Sequence, residues 1–143
     1  MRPINEMRLT LLSKSTNESF SRVAVSAFLS QLDPTIEEIN DIKTAISEAV
    51  TNCIVHAYKD KIGRIYITVS IYEDRTVSIK IRDNGCGIED VEKAREPLFT
   101  TGGDERAGLG FAVMESFMDK VRVTSKKDKY TSVVLKKKLG SRQ

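Results

Sequence analysis

Two runs of strict alternation restrict this chain more than any other feature. Ile65, Ile67, Val69 and Ile71 alternate with Tyr66, Thr68, Ser70 and Tyr72. After a turn around Glu73-Asp74-Arg75 the pattern resumes as Val77, Ile79 and Ile81 against Ser78, Lys80 and Arg82. Successive side chains on a strand point to opposite faces, so each run has one apolar and one polar face. Joined by a short turn, the runs predict an antiparallel pair with one face buried, and that face needs a covering layer.

Helices supply the cover. Thr35-Ile36-Glu37-Glu38 has the spacing of a capping box. From there Ile39, Ile42, Ala45, Ile46, Ala49, Val50, Cys53 and Ile54 recur at helical intervals, predicting a helix to about Tyr58. Ser15-Thr16-Asn17-Glu18 offers a second capping pattern ahead of Phe20, Val23, Ala24, Ala27 and Phe28, and Asp33-Pro34 ends that first helix. Met7 to Ser13 alternates weakly, as an edge strand would. A short helical turn is expected from Val91 to Arg95, stopped by Pro97. Pro97 to Ala107 lacks apolar periodicity and reads as a mobile loop hinged at Thr100-Thr101-Gly102-Gly103. Helical spacing returns from Gly110 to Met118, and strands are predicted at Val121 to Ser125 and Thr131 to Lys138. The expected fold class is α/β (α+β): a two-layer sandwich with helices on one face of a mixed, mainly antiparallel sheet, residues 1–143 forming a single domain.

Composition narrows the function classes. At 143 residues, 40% hydrophobic and 30% charged, the chain is a globular domain of common size, neither disordered nor fibrous. The net charge of +3 is mild. Lys126-Lys127 and Lys136-Lys137-Lys138 have no interleaved aromatics and read as solvated strand edge and tail, so no direct nucleic-acid partner is expected. Two cysteines, Cys53 and Cys86, without a signal-like segment point to free thiols and a cytoplasmic protein. No apolar run approaches the ~20 residues of a membrane span.

Polar residues in three places could carry chemistry. Glu48, Asn52 and His56 recur every fourth residue on the long helix, beside its apolar arc, where they would look into a cleft. Glu48 suits a general base near a terminal phosphate; a mid-helix glutamate is also an ordinary solvent-facing residue. The Asn52 amide oxygen suits magnesium, or a bond to a neighbouring loop. His56 reads as structural. Asp83, ending a strand and followed by Gly85 and Gly87, is an acceptor suited to the amino group of adenine, although Asp-Asn-Gly is also a common turn. Gly108-Leu109-Gly110 is expected to precede a helix whose free amides would hold phosphates, with Thr100, Thr101 and Arg106 in the loop before it.

The ordered set Glu48-x-x-x-Asn52-x-x-x-His56, Asp83-x-Gly85-x-Gly87 and Gly108-x-Gly110 resembles the ATP-binding family that includes gyrase and the histidine kinases. Asn17-Glu18-Ser19-Phe20, Gln31-Leu32-Asp33-Pro34-Thr35, Ser47 to Asn52 and Pro97-Leu98-Phe99-Thr100-Thr101 extend the likeness to the sporulation anti-sigma serine kinases within that family. The resemblance implies a histidine-kinase-like ATPase fold and ATP or ADP with Mg2+ as cofactors. It implies Glu48 as catalytic base, Asn52 as magnesium ligand, Asp83 as adenine partner, and Gly108 and Gly110 as phosphate-loop residues, with Thr131 near adenine. It also implies a homodimer that holds a sigma factor and phosphorylates a serine of an anti-anti-sigma protein, with Arg22 on the partner-binding face. Two positions depart from the family pattern: Tyr130 stands where glycine is common, and the loop Gly102 to Ala107 differs and is slightly shorter.

The chain has no room for the second domain of gyrase-type enzymes, and its only histidine belongs to the nucleotide helix. The expected activity is therefore phosphotransfer to another protein. A stress-response-type anti-sigma serine kinase and a non-catalytic, ATP-switched sigma-binding module are the alternatives.

Overall fold

A computed structural model describes residues 1–96 and 104–140, with the side chains of 104–108 outside the description. The chain runs β1 (Asn5–Leu12), α1 (Thr16–Leu29), a single 3-10 turn (Ser30–Leu32), α2 (Ile36–Asn52) and a π-helical turn (Cys53–Ala57). It continues through β2 (Arg64–Ile71), β3 (Thr76–Asp83), α3 (Val91–Ala94), α4 (Asp104–Phe117), β4 (Lys120–Lys126) and β5 (Tyr130–Lys138). The strands form one sheet in the order β1-β2-β3-β5-β4. Every ladder among the described residues is antiparallel, so the sheet has no parallel component of the kind a mixed sheet would need.

The alternating runs bury the expected face. Ile65, Ile67, Val69 and Ile71 on β2 and Val77, Ile79 and Ile81 on β3 are all at most 1% exposed, and they meet Ile42, Ile46, Ala49 and Val50 of α2 and Phe111 and Met114 of α4 in one core. Fully burying an isoleucine contributes about 1.5–3 kcal/mol, so this one face dominates the stability of the domain. Lys137 fastens the layers at one end: its Nζ lies 3.5 Å from Asp41 Oδ2 on α2 and donates to the Phe117 carbonyl at the end of α4 over 2.8 Å.

Four local expectations are corrected. The Thr35–Glu38 capping box forms with both arms, but the one at Ser15–Glu18 does not. Glu18 is turned inward instead, accepting from Arg22 at 3.3 Å and from the Ser47 hydroxyl of α2, charge-assisted bonds that outcompete a cap. The long helix ends as α-helix at Asn52 and widens into the π turn, where Tyr58 N–H bonds back five residues to Cys53 O. The predicted loop ends early, because Asp104-Glu105-Arg106-Ala107 is already the first turn of α4; acids at a helix N-terminus and the helix formers Arg and Ala favour that start. Residues 97–103 of that loop, including Thr100 and Thr101, lie outside the described residues. Finally, α1 buries Ser21, Val25 and Leu29, which leaves Phe20 and Val23 of the anticipated stripe 49% and 60% exposed.

Candidate nucleotide site

The strand register builds the centre of the site. Asp83, last residue of β3, pairs with Thr131 near the start of β5, so both lie at the same end of two neighbouring interior strands. Beyond Asp83 the chain turns through Asn84-Gly85-Cys86-Gly87. Gly87 has φ +69°, and a β-carbon there would stand 2.2 Å from the Lys126 carbonyl, so this position demands glycine. The turn is thereby pressed against the β4–β5 hairpin, where Asp128 N–H donates to Cys86 O.

On the other side stands the end of α2. Asn52, Cys53, His56, Asp83, Gly87 and Thr131 line one cleft of about 820 Å3, floored by Ile81, Val133 and Phe111. An apolar floor with a few polar groups at its rim is the usual make-up of a small-molecule site. Glu48, one turn before Asn52 on α2, is not among the lining residues. Both side chains touch α4 at Gly110, where an added β-carbon would lie 3.1 Å from Glu48 Oε2 and 3.3 Å from Asn52 Nδ2.

Asp83 is 3% exposed, and burial is the main reason its carboxyl is raised above the usual range, although hydrogen bonds from Gly85 N–H, the Cys53 thiol and Thr131 N–H pull the other way. The Gly85 bond is 2.9 Å. Desolvation, followed by the neighbouring Asp83 charge, pushes the buried Cys53 thiol well above its ordinary value. Both cysteines are free, as the composition suggested. Thr131 Oγ1 lies 2.9 Å from Ser125 Oγ, which also receives Ile88 N–H at 2.8 Å and donates to Tyr130 O. Tyr130 begins β5 with its ring beneath the Arg82 guanidinium, 4.4 Å from the ring centroid. Asp128, at φ +63°, takes the left-handed position of the β4–β5 turn, so Tyr130 is not required to do so.

The structure therefore brings Asn52, Asp83, Gly87 and Thr131 together, with Gly85 bonded to Asp83 behind them and Gly110 beside Glu48 and Asn52. It does not place Gly108 and Gly110 ahead of a helix. Both lie inside α4, where amides from Gly108 onward fall within reach of carbonyls four residues earlier, and Gly110 serves close approach to α2 instead. The Arg106 side chain lies outside the description. Arg22 is on α1 and is not among the cleft-lining residues; it pairs with Glu18. His56 falls in the π turn, so its four-residue spacing from Asn52 no longer stacks it directly above. Sequence reasoning passed over Tyr58 and Ser125. A single tyrosine at a helix end carried a weak signal, since a buried phenol needs a partner, and Ser125 carried none.

An orphaned group points to a ligand. Asn52 Nδ2 is buried without a hydrogen-bond partner among the described residues. Beside a cleft, that donor fits a phosphate oxygen and the amide oxygen fits magnesium, a cation usually held by one or two protein groups and phosphates. Among the described residues, no group of three or more His, Cys, Asp or Glu is placed to hold a metal alone.

Residues 14–137 match the model of the histidine kinase-like ATPase domain, and the chain belongs to that family. Within it, the chain belongs with the anti-sigma F factors. It is 57% identical to the anti-sigma F factor of Clostridium perfringens over 96% of this chain and 99% of that protein, and 58% identical to that of Caldanaerobacter subterraneus subsp. tengcongensis over 95% of each. The fold is similar to a crystal structure of the RsbU and RsbW domains of a Mycobacterium tuberculosis protein, with TM-score 0.71 and 21% identity, covering 96% of this chain and 32% of that one. No helix of the described residues is long and apolar enough to cross a membrane.

Proposed function

We propose that this chain is an anti-sigma factor and serine protein kinase. It binds ATP with Mg2+ in the cleft, holds a sporulation sigma factor of the sigma-F type and phosphorylates a serine of an anti-anti-sigma protein. The observation that carries the reading is the convergence of Asn52, Asp83 and Thr131 on one cleft, with Glu48 a turn away and Asn52 Nδ2 unpartnered among the described residues. The relatives' name supports the sigma-factor partner.

In this reading Asp83 accepts a hydrogen bond from the adenine amino group and Thr131 stands beside it, while Gly85 and Gly87 let the Asp83 turn pack against Ala57 and Lys126. Asn52 offers its amide oxygen to magnesium, which when bound neutralises phosphate charge. Glu48 accepts the proton of the attacking serine hydroxyl. Thr100, Thr101 and Arg106 are the proposed phosphate contacts, and Gly110 lets α4 come close to Glu48 and Asn52. The outward Phe20 and Val23 of α1, together with exposed Ile4 and Leu12 at the β1 edge, support a homodimer, and Arg22 on the same helix is the proposed partner contact.

Titration calorimetry with ATP and magnesium tests the site, and transfer of labelled phosphate to the anti-anti-sigma protein tests the reaction. No heat of binding sinks the nucleotide reading. Binding without transfer favours the ATP-switched module, and the sigma factor that co-purifies separates the sporulation type from the stress-response type.

A further inference from the structure

The turn that carries Asp83 is suspended from the end of α2. Asn84 N–H donates to Tyr58 Oη over 2.8 Å, Cys86 N–H donates to Ala57 O over 3.0 Å, and the Cys86 thiol lies 3.3 Å from His56 O. Gly85 packs so closely on the same π turn that a β-carbon there would stand 2.4 Å from Ala57 O. The Tyr58 hydroxyl in turn donates to the carbonyl of Arg64, the first residue of β2. With its one proton committed to Arg64, the oxygen faces Asn84 as an acceptor, and the phenol links three elements through a single atom. The ring is fixed as well: it is buried and lies over Gly63, where a β-carbon would be 2.1 Å from it.

The residue held by Tyr58 sits between the two ends of the Asp83 clamp. Asp83 Oδ1 accepts Gly85 N–H, so the direction of that amide, set by the backbone at Asn84, decides how the carboxylate is turned. We propose that Tyr58 is a positioning residue for purine recognition: by pinning Asn84 it holds Asp83 in the one orientation that accepts from a 6-amino purine. The proposal rests on the nucleotide reading of the cleft and adds what enforces base choice within it. A carboxylate already receiving Gly85, Cys53 and Thr131 donors keeps acceptor capacity for one more, and Asp83 lines the cleft. A 6-amino group meets it as a donor, whereas the oxygen of a 6-oxo purine meets it as a second acceptor.

Tyr58→Phe removes the hydroxyl and keeps the ring, and the test compares ATP with ITP by calorimetry, each with magnesium. The expected result is about tenfold weaker ATP binding with ITP changed less than about twofold, because a loosened Asp83 loses its preference rather than its site. Equal weakening of both nucleotides, or no change in either, overturns the proposal, since a purely structural tyrosine would not alter base discrimination. Gly63→Ala, which displaces the ring and leaves the hydroxyl, is expected to erode the ATP preference in the same way. Amide exchange supplies an arm independent of nucleotide. Asn84 N–H is expected to be protected in the wild type and to exchange faster in Tyr58→Phe; equal rates overturn the clamp. If the wild type takes up neither nucleotide, the proposed function fails, and the exchange arm still decides whether Tyr58 holds the turn.

Discussion

Gly110 on α4 faces the carboxylate of Glu48 on α2: a β-carbon at 110 would stand 3.1 Å from Glu48 Oε2. The same atom would be 3.3 Å from Asn52 Nδ2. Gly110→Ala therefore asks two functional side chains to move while making α4 a better helix by about 0.5–1 kcal/mol. The expected outcome is an unchanged or slightly higher melting temperature with phosphotransfer lowered at least about tenfold, by analogy with the sensitivity of oriented groups to small displacements. A variant as active as the wild type would show that Glu48 and Asn52 need not keep these positions.

Glu48→Gln preserves shape and removes the base. ATP affinity is expected to stay within about threefold, while transfer to the acceptor serine falls by roughly 10²–10⁴. Single-turnover transfer measured at saturating ATP checks this, and equal rates in variant and wild type would remove Glu48 from the chemistry.

Burial raises the Asp83 carboxyl above its ordinary 3.8. The folded chain then keeps a proton that the unfolded chain has already lost, so the stability this group contributes below 3.8 is lost as pH rises through the raised value. Asp83→Asn is expected to melt no lower than the wild type at pH 7 and to lose any advantage as pH falls below 3.8, the ordinary carboxylate value. ATP uptake is expected to be lost at every pH. Melting curves across that range check the sign; a variant that melts lower at pH 7 would mean the ionised carboxylate stabilises the fold.

The two cysteines differ in exposure. Cys53 is 4% exposed and its thiol is held protonated by burial and by Asp83, whereas Cys86 is half-buried at the cleft wall. Iodoacetamide at pH 8 is expected to label Cys86 at least about tenfold faster than Cys53, read by mass spectrometry of the digested protein. Saturating ATP should slow labelling of Cys86, and faster labelling of Cys53 would contradict the buried geometry.

The strands and helices were largely legible because their signals are local. Period-two runs at Ile65–Ile71 and Val77–Ile81 and the capping box at Thr35–Glu38 reappear as β2, β3 and the start of α2. The Ser15 cap failed because Glu18 had a better partner in Ser47, a residue 29 positions away that no local pattern reveals. Gly108 and Gly110 read as a loop before a helix because glycine usually breaks one. In the fold they are inside α4, where contact with α2 outweighs propensity.

By itself, the order of residues determined most of the strands and helices, the buried face of the sheet and the identity of the polar groups worth watching, since these depend on periodicity and side-chain chemistry. Only the tertiary structure decided that β5 inserts between β3 and β4, setting Thr131 opposite Asp83. It alone hung the Asp83 turn from Tyr58 through the π turn. Strand order and long-range hydrogen bonds arise from packing the whole core at once, and no short stretch of sequence contains both partners.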